Sequence, residues 1–113
     1  MSDCLFCRIA AGEVPATLVA ETDRTIAFRD ISPQAPTHVL VVPRDHHADL
    51  AGCAEADPSL LADVLTAAVA VARQEGLDGG YRVLTNTGPD AGQTVHHLHL
   101  HVLGGRRMGW PPG

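Results

Sequence analysis

Strict alternation of apolar and polar positions is clearest near the end of the chain, in "HHLHLHVL" from position 96. A period of two belongs to a strand, so Leu98, Leu100 and Val102 are expected on a core face and His97, His99 and His101 on the opposite one. Upstream, the pattern predicts strands at 18–21 and 25–29, and the apolar, β-branched run at 38–43 reads as a central strand. From 58 to 75 the period becomes helical, with Leu61, Val64, Leu65, Ala68, Val71 and Ala72 expected on one buried side. Asp57 is placed to cap this helix, Pro58 suits its first turn and Gly76 its end. A short helix is expected from position 5, ended by Gly12 and Pro15. Turn formers fill 30–38, 79–80 and 87–95, a strand is expected at 81–86, and Gly and Pro make the tail irregular. With no repeat and no linker, residues 1–113 are expected to form a single α+β domain of roughly five strands, one long helix and one short one.

Length adds that any site must be built on one core or shared between copies of the chain. No apolar run approaches a membrane span, and "MSDCLFCRIA" lacks the basic and apolar regions of a signal peptide. A cytoplasmic protein that engages no membrane is therefore expected. The net charge of −5 argues against a general polyanion-binding surface, so no nucleic-acid partner is expected and any phosphate must be bound locally. Three cysteines, an odd number, point away from a disulfide framework and towards metal or redox chemistry.

Seven histidines then change the picture, because three lie in register on one strand face. Spaced roughly 7 Å per step, they converge poorly on a single metal ion but could share a small anion. A neutral imidazole is a good nucleophile towards phosphorus, and the group it acquires departs easily to water. The middle residue, His99, is the natural attacker. A protonated His101 could then stabilise phosphate charge or supply a proton to the leaving group. "CLFC" separates Cys4 from Cys7 by the two residues typical of a zinc knuckle, whereas a thioredoxin-like pair would follow a strand.

The stretch "HLHLHVL" at 97–103 is similar to the His-φ-His-φ-His-φ-φ signature of the histidine triad (HIT) superfamily. Together "FCRIAAGEVP", "FRDISPQAPTHVLVVPRDH" and "AGQTVHHLHLHVLGGRRMGWPPG" resemble the Hint branch, the histidine triad nucleotide-binding proteins, almost end to end. That resemblance implies the HIT fold, with an antiparallel sheet, and a purine nucleoside phosphoramidase in which His99 attacks the α-phosphorus. A nucleotidyl-histidine forms, an amine leaves, and water releases the nucleoside monophosphate. By the same resemblance His101 contacts phosphate near the leaving group, His97 completes the triad, and His38 joins the catalytic network. Leu5, Phe6, Ile9, Phe28 and Ile31 correspond to the base pocket and Asp30 to the carboxylate that accepts from the ribose hydroxyls. Asn86, Gly92, Gln93, Thr94 and Val95 correspond to the segment around the phosphate.

The resemblance also completes the metal site. Cys4 and Cys7 are joined by His46 and His97 around a closed, structural zinc, and no organic cofactor is implied. His47 is the alternative to His46. A homodimer is implied, with the C-terminal tail near the partner's site. His96 is expected to face away from the triad, Cys53 to be inert, and Arg106 and Arg107 to be solvated. One departure stands out: Gly109 occupies a position where close relatives often carry a larger polar residue, which bears on leaving-group preference. Rival functions are dinucleoside polyphosphate hydrolysis, nucleotidyl transfer, or non-catalytic purine-nucleotide or protein binding.

Overall fold

The apolar run at 38–43 becomes the middle of a five-stranded antiparallel sheet in the computed structural model, which describes residues 3–113. The strands are β1 (Leu18–Glu21), β2 (Thr25–Arg29), β3 (Thr37–Pro43), β4 (Tyr81–Leu84) and β5 (Leu100–Gly104), in the order β1-β2-β3-β5-β4. β3 is buried along its whole length because both of its faces are covered. On one face lies the long helix α3 (Pro58–Gln74), whose Leu60, Val64, Ala68 and Val71 pack on Val39, Val41, Leu98, Leu100 and Val102. On the other, α1 (Leu5–Ala10) lays Phe6 and Ile9 against Ile26, Phe28, Leu40 and Val42. The site forms on this second face, where His38 of β3 and His101 of β5 take positions that aliphatic residues fill elsewhere in the sheet.

Local chemistry places the helices. The Cys4 thiol accepts from the Cys7 N–H at the start of α1, and the Asp57 carboxylate accepts from the Leu60 N–H at the start of α3, with Pro58 in its first turn. Arg24, in the β1–β2 turn, reaches across to Asp57, Ser59 and Asp63, so that one guanidinium ties the sheet edge to the α3 cap. Gly76 follows α3 at φ 71°, in the left-handed region that favours glycine. At the far end of β5, a Cβ on Gly104 would displace the Leu77 side chain, whose Cδ1 stands 2.6 Å away, and Gly105, with φ 90° beside Pro36, needs glycine.

Several boundaries differ from the sequence reading. A further short helix, α2 (Leu50–Ala56), precedes α3, capped by Asp49, and Asp57 serves both helices. It buries only Cys53 and contains Gly52, so it carries no readable amphipathic period. In α3 the buried face begins at Leu60; Leu61 is half-buried and Leu65 is 48% exposed. β4 stops at Leu84, two residues before the predicted end, and Pro89–Ala91 forms a single 3₁₀ turn. Most consequentially, the β5 ladder starts at Leu100, so His97 and His99 precede it, although their side chains keep the alternation of an extended strand. Among the described residues no helix is long and apolar enough to cross a membrane.

Candidate functional site

The alternating histidines enter two different clusters. His97 is fully buried and points its Nδ1 at the start of α1, 3.3 Å from the Cys4 Sγ and 3.4 Å from the Cys7 Sγ. His46, from the loop after β3, adds its Nδ1 at 3.2 Å from that of His97 and 3.4 Å from the Cys7 Sγ. A tetrahedral ion with bonds of about 2.3 Å to sulfur and about 2.0 Å to nitrogen would hold such atoms roughly 3.3 to 3.8 Å apart. These four separations, from 3.2 to 3.4 Å, lie within a few tenths of an ångström of those spacings, and the four side chains could hold a metal ion. The second nitrogen of His97 fixes its tautomer: Nε2–H donates to the Pro43 carbonyl at 2.8 Å, which leaves the Nδ1 lone pair facing the thiols. Burial also pushes the His97 pKa down, towards the neutral form that ligates. The ring of His47, the alternative ligand, is not in this group; its carbonyl accepts from Leu98 N–H instead.

His99 is buried to 8% exposure and is oriented by its own backbone. Its Nδ1–H donates to the His97 carbonyl at 2.8 Å, so the neutral ring keeps its lone pair at Nε2. Phe6 stands edge-on to the same ring, 5.1 Å between centroids.

His101 heads a relay that also runs one way. The Gln34 N–H donates to His38 Nδ1 at 3.0 Å, which leaves the hydrogen of His38 on Nε2. That Nε2–H donates to His101 Nδ1 at 2.8 Å, with Asp30 Oδ2 at 3.3 Å. His101 accordingly carries its hydrogen on Nε2, an atom buried with no hydrogen-bond partner among the described residues. The 2.8 Å separation is that of a hydrogen bond and shorter than two ligands on one ion allow, so Asp30, His38 and His101 form a relay and not a second metal cage. Burial, then the neighbouring His99 and His38, push the His101 pKa down to about 4, against a smaller opposing pull from Asp30. The expected protonated His101 is thus corrected for the free protein: its ring is neutral at pH 7 and offers an N–H, not an imidazolium. Burial lowers the His38 pKa as well.

His99 and His101 form one wall of an apolar cleft of about 680 Å³, a size suited to a nucleotide-scale ligand. Leu5, Phe6, Ile9, Phe28, Asp30, Ile31, Thr94 and Val95 line it, so most of the expected nucleoside contacts are brought together. Leu40, Pro15, Ala16, Thr17 and Arg29 line it too and were not singled out in the sequence. Leu40 could have been: it shares its side of β3 with His38, one alternation away. The Arg29 charge is taken by Glu75, in two bonds of 2.6 and 3.2 Å.

Asn86, Gly92 and Gln93 stand outside the lining. The Gln93 side chain braces its own loop, accepting from Gly88 N–H and donating to the Ala48 and Val95 carbonyls, and Gly92 supplies a left-handed turn at φ 81°. His96 is exposed, Cys53 is sealed in the α3 core with its thiol pKa raised by burial, and Arg107 is exposed. Arg106, also exposed, donates to the Gln34 carbonyl and so steadies the turn that feeds the relay. The Gly109 carbonyl accepts from Arg82 beside the exposed Trp110.

The HIT domain family matches residues 11–108. The chain is similar to a 14 kDa zinc-binding protein of Zea mays, 48% identical over 99% of this chain and 89% of that one. It is also similar to adenylylsulfatase HINT1 of Arabidopsis thaliana, 45% identical over 99% of this chain and 78% of that one. Among solved structures, a HIT family hydrolase from Legionella pneumophila superposes with a TM-score of 0.94 at 52% identity, covering 98% of this chain and 100% of that one.

Proposed function

The chain belongs to the HIT domain family, and from that premise we propose that it is a purine nucleoside phosphoramidase of the Hint kind, working through a nucleotidyl intermediate on His99. Relatives named as a hydrolase and an adenylylsulfatase support hydrolysis at an adenylyl group. One observation carries the reading: the His97 carbonyl holds Nδ1–H of His99, leaving Nε2 as the attacking atom in a cleft that His101 also lines.

The flat base enters between Leu5, Phe6, Ile9, Phe28 and Ile31, and the Asp30 carboxylate at the rim accepts from the ribose. The phosphate lies between His99 and the 94–95 segment. Nε2 of His99 attacks the α-phosphorus, a P–N bond to the ring forms, and the P–N bond to the amine breaks. His101 donates its otherwise unpartnered Nε2–H to the phosphoryl group. The anionic substrate beside it favours the charged ring, so the proton needed by the departing amine is available at His101 once substrate is bound. Water then attacks phosphorus and gives a proton to His101, the P–N bond to the His99 ring breaks, and the nucleoside monophosphate leaves with His99 restored. No organic cofactor is needed for either step.

Cys4, Cys7, His46 and His97 hold zinc in this reading, a choice supported by the S₂N₂ donor set and by the zinc-binding name of the maize relative. Zinc supplies a structural cross-link when bound. His97 transmits it to the chemistry, because the same residue presents the carbonyl that orients His99. A reducing cytoplasm would keep both thiols available for the ion. A homodimer fits β4, which ends the sheet with an open backbone edge. The reading is tested by comparing amine release from adenosine 5′-phosphoramidate with hydrolysis of diadenosine polyphosphate; preference for the phosphoramidate is expected, and the reverse preference would move the protein to another HIT activity.

A further inference from the structure

The residue that carries the nucleophile lies just outside the β-ladder, so something other than sheet pairing must hold it. The β4–β5 register ends at Leu84 opposite His101, and the β3–β5 register ends at Val41 opposite Leu100. Upstream of His99, the peptide joining His97 to Leu98 is pinned at both of its polar atoms. Its carbonyl accepts from the His99 ring at 2.8 Å, and its N–H donates to the His47 carbonyl at 2.7 Å. Downstream, the carbonyl of His99 itself accepts from a side chain: the hydroxyl of Thr85, the first residue past β4, at 2.8 Å.

We propose that Thr85 is a positioning residue for His99, its hydroxyl extending the β4–β5 link by one residue to set the direction from which the imidazole faces phosphorus. The peptide after His99 shares the His99 Cα, so its rotation turns the Cβ and the ring with it. A hydroxyl on a β-branched, half-buried side chain holds that carbonyl with little freedom. Valine has the same shape and suits a strand end equally well, so the packing of this position does not call for a hydroxyl. The carbonyl of His99 does. Thr85 stands beyond the cleft lining and touches no reacting atom, so it acts through His99 alone.

This inference rests on His99 being the nucleophile, and the experiment separates the two claims. In the metal-loaded full chain, Thr85→Val is expected to lower kcat for adenosine 5′-phosphoramidate roughly tenfold, with KM and thermal midpoint close to the parent's. Thr85→Ser is expected to restore most of the rate. The ¹⁵N resonances of the His99 imidazole, recorded without substrate, are expected to move in Thr85→Val and to return in Thr85→Ser. Unchanged kcat together with unchanged His99 resonances in Thr85→Val would overturn the proposal. A loss of rate that follows the thermal midpoint and is not restored by serine would overturn it too. A parent that releases no amine would overturn the phosphoramidase reading, while moved His99 resonances in the same preparation would still support the role of Thr85.

Discussion

His101 shows how one ring can be useful because it is hard to protonate. Its Nδ1 is committed to His38 and its Nε2–H is buried beside the cleft, so the neutral ring is a donor with no competing partner among the described residues. The same burial makes it a pH-dependent contribution to stability. Its folded pKa of about 4 lies below the ordinary 6.5, so between those values the unfolded chain binds more protons than the folded one. The His101 contribution is therefore complete above pH 6.5 and declines as pH falls towards 4, by up to about 3 kcal/mol. Thermal midpoints measured from pH 7 to 4 are expected to fall less steeply in His101→Gln than in the parent; parallel profiles would show that His101 is not the group responsible. His38 makes a second prediction. His38→Ala removes the donor to His101 Nδ1, and kcat is expected to fall roughly ten- to a hundredfold, with nucleoside monophosphate binding, read by calorimetry, changed far less.

At the scale of elements, α3 separates what patterning reveals from what only packing decides. Its start and end were legible, because Asp57, Pro58 and Gly76 act locally on backbone geometry. Its buried face was legible only to within one residue: Leu60 and Leu61 are adjacent on the helix, and contact with the sheet selects Leu60. Leu60→Ala is expected to cost about 2–5 kcal/mol in denaturant unfolding, and Leu65→Ala under about 0.5 kcal/mol; similar losses at both positions would contradict this orientation. β5 teaches a related lesson. The alternation in 96–103 correctly separated aliphatic from histidine faces, yet β4 runs out opposite His101 and pairing with β3 ends at Leu100, although β3 continues to Pro43. Side-chain alternation records burial, and it does not record where backbone pairing ends. For the same reason the cleft wall from α1 and β2 was legible only through likeness to relatives: Phe6 and Phe28 alone read as core.

Across the whole molecule, the cluster of Cys4, Cys7, His46 and His97 joins points far apart in the chain, Cys4 and His97 being 93 residues distant. It brings together α1, the loop after β3 and the approach to β5, and the first and last of these supply Leu5, Phe6, Ile9, Thr94, Val95 and His99 to the cleft. Removing the metal with a chelator, or changing Cys4→Ser, is expected to lower the thermal midpoint by several degrees and to weaken nucleotide binding; an unaffected midpoint after verified metal loss would contradict a structural role. The chemistry proposed for this protein turns on one atom, Nε2 of His99. The most direct test is to quench the protein during turnover of adenosine 5′-phosphoramidate and map the nucleotidyl adduct by mass spectrometry, with His99→Ala alongside. The account predicts an adenylyl group on His99 and no turnover in the variant. An adduct on another residue, or amine release that survives in His99→Ala, would contradict it.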